Sequence, residues 1–151
     1  MAPTRDYDIS TDPARFDLDA IHDFLTQSYW SPGIPRETVA RAAANSLSFG
    51  VFHHGKQVGF ARMVTDRATF AYLADVYVLE AHRGKGVSKK LMAYIIAHPD
   101  LQGLRRMMLA TRDAHGLYAR YGFTSVGAPD RLMEKLVPDV YQRATPGATK
   151  A

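Results

Sequence analysis

The chain has 151 residues, 46% of them hydrophobic, which suits one domain around a single core, and its lack of cysteine excludes disulfides, thiolate metal ligands and a catalytic thiol of its own. Nineteen Lys and Arg against fifteen Asp and Glu leave a charge of +4, compatible with an anionic ligand, but the basic residues are scattered, so no nucleic acid partner is expected. No stretch approaches the roughly 18 to 20 apolar residues of a membrane span and the first ten residues carry charges, so a cytoplasmic protein with no membrane partner is expected.

Residues 6–10 predict a short strand, and 17–27 a helix with Leu18, Ile21, Phe24 and Leu25 at helical spacing. The segment 28–35, with two prolines and a glycine, breaks the periodicity as an aromatic loop around Tyr29 and Trp30, and 36–45 resumes it through Val39, Ala42 and Ala43. From Leu47 the period changes to two. Residues 48–53 and 57–65 read as strands joined by the hairpin turn His54-Gly55-Lys56, and 70–79 as a third strand after a turn over 66–69. Alternation along that strand puts Ala71, Leu73, Asp75 and Tyr77 on the face opposite Tyr72, Ala74, Val76 and Val78, with Asp75 the odd residue on an apolar strand.

Beyond a glycine loop, Val87, Leu91, Tyr94, Ile95 and His98 form one stripe of a helix that Pro99 stops. Residues 106–110 predict a short strand, 114–121 a helix and 132–137 a final strand. The expected fold class is a single mixed α/β domain over 1–137, with four helices around a mostly antiparallel sheet, and a loose tail over 138–151. A crossover helix between the strands at 70–79 and 106–110 makes those two parallel, which places ligand-binding loops at their carboxyl ends.

The glycine loop lies at such an end. His82-Arg83-Gly84-Lys85-Gly86-Val87-Ser88-Lys89-Lys90 follows a strand and opens a helix, so main-chain N–H groups and the positive end of the helix dipole converge on a site for an anion. The glycines allow close approach of a diphosphate, and Arg83, Lys85, Lys89 or Lys90 can add charge from the side. The spacing fits neither a dinucleotide-binding G-x-G-x-x-G loop nor an ATPase G-x-x-x-x-G-K-S/T loop.

Arg83-Gly84-Lys85-Gly86-Val87-Ser88 resembles the acetyl-CoA loop Q/R-x-x-G-x-G/A of the GNAT superfamily of N-acetyltransferases, with Ser88 departing at the last position. A second element, Ala114-His115-Gly116-Leu117-Tyr118-Ala119-Arg120-Tyr121-Gly122-Phe123, is similar to the family's A-x-x-L/F-Y-x-x-x-G-F segment, and the likeness extends over about residues 5–137. The resemblance implies transfer of an acetyl group from acetyl-CoA to a primary amine by direct attack on the thioester, in a fold whose parallel strand pair is splayed at the acetyl-CoA site. It also makes a homodimer an expectation. A non-catalytic acyl-CoA-binding sensor or regulatory module of the same fold is the alternative.

The resemblance makes Tyr118 the general acid near the thioester sulfur, a job a phenol suits because it is protonated at neutral pH. It likewise implies that main-chain groups near Tyr77, Val78 and Leu79 meet the pantetheine, so these residues, Tyr118 and Arg83, Gly84, Lys85, Gly86, Val87, Ser88 and Lys89 are the candidate cofactor contacts. Asp75 is the candidate for general base or for binding a cationic amine, the other reading being a carboxylate tied to backbone or to a nearby arginine. Tyr29, Trp30 and either Tyr72 or Tyr77 are candidate walls of the acceptor pocket. The histidines show no H-x-x-x-H or H-E-x-x-H pairing, His53-His54 reads as a hairpin tip, and no metal is expected.

Overall fold

The computed structural model describes residues 4–143, so the expectations for 1–3 and for Thr145-Pro146-Gly147 lie outside the described residues. Five strands form one sheet in the order of the chain: β1 (Tyr7–Ser10), β2 (Leu47–His53), β3 (Lys56–Thr65), β4 (Phe70–Val78) and β5 (Arg106–Leu109). The first four pair antiparallel and β4 pairs β5 in parallel. Helices α1 (Leu18–Leu25), α2 (Arg36–Ala44), α3 (Val87–Ile96), α4 (His115–Ala119) and α5 (Val140–Arg143), with five single-turn 3-10 helices, are the other described elements, so the expected mixed fold with one parallel pair is the fold. No described helix is long and apolar enough to cross a membrane.

Local chemistry explains where these elements start and turn. Asp17 caps α1 by accepting from the amide of Ala20 at 3.0 Å, and the β2–β3 hairpin turns through His54 and Gly55, both left-handed at φ 50° and 82°. Two clusters bury the faces of the sheet. On one face Phe49, Val51, Met63, Ala71 and Leu73 meet Val87, Leu91, Met92 and Ile95 of α3 and Tyr118 of α4; on the other Phe60 and Tyr77 meet Ile21, Leu25, Val39 and Ala43. The expected α3 stripe therefore gains Met92, whereas Tyr94 is 40% exposed.

Three expectations differ. First, β4 does not alternate to its end: Phe60 faces Tyr77 and Arg62 faces Ala74, so β4 carries an extra residue, and Asp75 takes φ 57° to accommodate it. That bulge moves Val76 and Val78 onto the face of Leu73 and sends Tyr77 to the opposite cluster. Second, residues 132–137 form no strand. Their order, Leu-Met-Glu-Lys-Leu-Val, gives neither face an apolar row to bury, and Met133 is 97% exposed. Third, the segment after Pro138 folds back as α5, and Tyr141 packs on the α1–α2 cluster beside Gly33.

Candidate active site

The glycine loop is open to a ligand. Gly84 and Gly86 are exposed and left-handed at φ 76° and 81°, a conformation that costs a side-chain-bearing residue about 1–2 kcal/mol, and Gly86 is the N-cap of α3. The amides of Gly84, Lys85 and Gly86 donate to no group among the described residues, and those of Val87 and Ser88, in the first turn of α3, have no intrahelical acceptor. Their N–H groups and the helix dipole favour an anion here. Val78, His82, Arg83, Gly84, Gly86, Val87, Ser88, Lys89 and Leu117 surround a cavity of about 330 Å³ at this point.

The basic side chains divide in their roles. Arg83 reaches back so that its Nε donates to the Val78 carbonyl at 2.8 Å, which ties the guanidinium to the end of β4 at the wall of the cavity. Lys89 lines the cavity and Lys85 is exposed beside it. Lys90 is turned away: its Nζ donates to the carbonyls of Thr4 at 2.7 Å and Tyr7 at 2.5 Å, tying the N-terminal segment to α3 instead of adding charge to an anion.

β4 and β5 part beside this loop. Their pairing runs from Phe70–Arg106 to Leu73–Leu109 and stops, leaving β4 from Ala74 to Val78 without a neighbour on that edge. The Leu79 amide donates to Val58 at 2.8 Å, toward β3, so the main chain of Leu79 is not part of the open edge. Alternation then puts the peptide groups of Val76 and Val78 along the gap. Tyr77 contributes nothing from its ring. Since the bulge turned it over, that ring is 5% exposed, stacked on Phe24 at 3.9 Å between centroids, and burial followed by the charges of Asp17, Asp23 and Asp75 pushes its phenol well above the usual range.

The gap opens into a cleft of about 400 Å³ whose lining joins Tyr29, Trp30, Tyr72, Asp75 and Tyr118 from three separate stretches of chain, the aromatic loop, β4 and α4. Tyr118 is 9% exposed, its ring edge-on to Phe123 at 6.1 Å. Its hydroxyl has no hydrogen-bond partner among the described residues, and burial, with a smaller contribution from Tyr29, raises its pKa above the usual 10. Tyr29 and Trp30 stand edge to face at 5.0 Å, and the Arg112 guanidinium lies 3.8 Å over the Tyr29 ring.

Asp75 is spent on structure. Its side chain is 7% exposed, Oδ2 accepts from Arg62 Nε at 2.6 Å, and Oδ1 accepts from Trp30 Nε1 at 2.8 Å. Both oxygens of the carboxylate are thus engaged, and the nearby arginine of the alternative reading is Arg62. Sequence reasoning missed Arg62, Arg112 and Asp113, the last an exposed carboxylate lining the cleft. Arg62 left a usable signal: an arginine inside the apolar run of β3 demands a buried partner.

The sheet thus parts beside a loop of free main-chain amides, and Tyr118 of α4 lines the cleft into which the gap opens. A profile of the "Acetyltransferase (GNAT) family" matches residues 15–123. A Gibberella zeae protein named "Putative acetyltransferase FG08082" is 34% identical over an alignment of 138 positions covering 76% of this chain and 77% of the relative. A crystal structure described as "a putative acetyltransferase belonging to the gnat family", from Xanthomonas campestris pv. campestris, is 56% identical, with a TM-score of 0.88 over 89% of this chain and 96% of that one. The chain belongs to the acetyltransferase (GNAT) family. An acetyltransferase from Clostridium acetobutylicum solved with acetyl-CoA, 13% identical with a TM-score of 0.60 over 86% of this chain and 94% of that one, shares the fold.

Proposed function

We propose that this protein transfers the acetyl group of acetyl-CoA to a primary amine by direct attack, in the cleft between Tyr118 and the aromatic loop. The observation that carries this reading is the convergence on one gap of the exposed loop amides, the unpaired edge of β4 and the Tyr118 phenol. The loop would hold the donor's diphosphate, and the peptide groups of Val76 and Val78 would run beside its pantetheine and thioester. The amine nitrogen attacks the carbonyl carbon, the C–S bond breaks, and Tyr118 Oη gives its proton to the departing thiolate while the amine sheds one to water.

The cleft also selects an acceptor. Tyr29, Trp30 and Tyr72 supply aromatic walls, and Asp113 supplies a negative charge at the rim, which suits a compact amine carrying a second cationic or hydroxyl group. Incubation with acetyl-CoA and an amine panel, read as thiol release and as a mass gain of one acetyl on the amine, tests the proposal. Acetylation of at least one amine is expected. Tight acetyl-CoA binding with no product from any amine would favour the acyl-CoA sensor, a reading to which the engagement of Asp75 lends some support.

Gly86→Ala probes the loop. The new Cβ would sit at φ 81° and 3.4 Å from Thr4 Cγ2, so the strain is relieved only by shifting amides that face the ligand. Acetyl-CoA affinity is expected to fall about tenfold, equivalent to roughly 1.4 kcal/mol, by titration calorimetry. An unchanged Kd would remove the loop from donor binding.

A further inference from the structure

A second group of side chains gathers outside the cleft, at the free edge of the sheet. β1 pairs β2 with Tyr7 opposite His53, which brings Asp6, the residue before Tyr7, to the tip of the β2–β3 hairpin. There one carboxylate oxygen of Asp6 and one imidazole nitrogen each of His53 and His54 lie within 4.8 Å of one another. A metal ion bound to all three at about 2.0–2.2 Å would need only a small inward movement of exposed side chains.

The group is held from several sides. Lys90 grips the carbonyls of Thr4 and Tyr7, bracketing Asp6 in the chain. The His53 ring stacks on Tyr7 at 4.6 Å, with the His54 ring 4.1 Å away and the His82 ring 5.0 Å away. His82 itself is fastened by a 2.8 Å hydrogen bond between its Nδ1 and the Tyr7 hydroxyl. His54 occupies the first position of the two-residue turn at φ 50°, which fixes its ring at the hairpin tip beside His53.

We propose that Asp6, His53 and His54 form a binding site for a divalent late-transition cation of the Zn²⁺ type, with its remaining coordination positions taken by water. Two imidazole nitrogens and one carboxylate are the donor set such ions accept in a chain without thiols. The pattern could not be found from the histidines alone, because the carboxylate comes from 47 positions earlier (53 − 6) and arrives only when β1 pairs β2. None of the three residues lines the acceptor cleft or the loop cavity, so the site is independent of the acetyl-transfer proposal.

The test uses the untagged full chain. After dialysis against Zn²⁺ and gel filtration, elemental analysis is expected to find one zinc per chain, and added Zn²⁺ should raise the thermal midpoint because the ion joins the start of β1 to the hairpin tip. His54→Asn, which suits the left-handed turn, and Asp6→Asn should each weaken Zn²⁺ affinity by at least about tenfold in calorimetry, the lower end of what even a supporting group contributes. His115→Gln, on the exposed surface of α4, should leave it unchanged. Absence of zinc from the wild-type chain, equal affinity in His54→Asn and Asp6→Asn, or an equal loss in His115→Gln would each overturn the proposal. Circular dichroism of the variants distinguishes a lost ligand from a lost fold.

Discussion

Tyr118→Phe should lower kcat for acetyl transfer by about 10²- to 10⁴-fold, the range spanned by positioned proton transfer, with the Kd for acetyl-CoA nearly unchanged. The substitution removes one oxygen and keeps the ring that packs edge-on to Phe123, so the first cluster survives. No described residue bonds to that oxygen, so its loss breaks no hydrogen bond among the described residues. The pH behaviour follows from the same burial. A phenol raised above 10 stays protonated through the range where amines become nucleophilic, so any acidic limb belongs to the amine, and loss of the Tyr118 proton sets in only as pH rises through that raised value. Single-turnover rates against pH check both points. A Tyr118→Phe rate within twofold of wild type would assign the thiolate's proton to another donor.

Arg62→Met should destabilise the fold by about 3–5 kcal/mol, nearer the lower figure because the Arg62 side chain keeps 20% exposure. Asp75 would lose its cationic partner while remaining 93% enclosed (100 − 7), with only Trp30 Nε1 as donor. Against a typical total of roughly 5–15 kcal/mol this is a large fraction. Adding Asp75→Asn should restore most of it, because the charge is gone and Asn tolerates φ 57°. Urea titration of the single and double variants reads the difference. A loss below about 1 kcal/mol in Arg62→Met would mean that the pair behaves as an exposed one. The same pair positions the acceptor wall, since Asp75 anchors Trp30, so KM for the amine should rise in the single variant more than kcat falls.

The elements themselves were legible because local chemistry is enough to set them. The period change at Leu47 marks the sheet, His54-Gly55 supplies a two-residue left-handed turn, and Gly86 beside the apolar stripe of α3 announces an anion-facing helix start. The final strand over 132–137 was not legible, since short apolar pairs separated by charges imitate a strand without giving it a face to bury.

The bulge at Asp75 marks the limit of reading by period. One residue added to β4 reverses every side chain beyond it, sending Tyr77 to the α1–α2 cluster and bringing Val76 and Val78 onto the face of Leu73, and no count of alternate positions reveals where an extra residue is absorbed. The partner of Asp75 was likewise open until β3 lay beside β4 and Arg62 came within 2.6 Å.

The amino-acid sequence by itself determined the exposed glycine loop at the start of α3 and the mixed order of helices and strands, because capping, glycine conformation and periodicity act over a few neighbouring residues. Only the tertiary structure decided which residues share a site. Strands β4 and β5 part after Leu73, Asp75 meets Arg62 and Trp30, and Asp6 meets two histidines, each through contacts between segments apart in the chain.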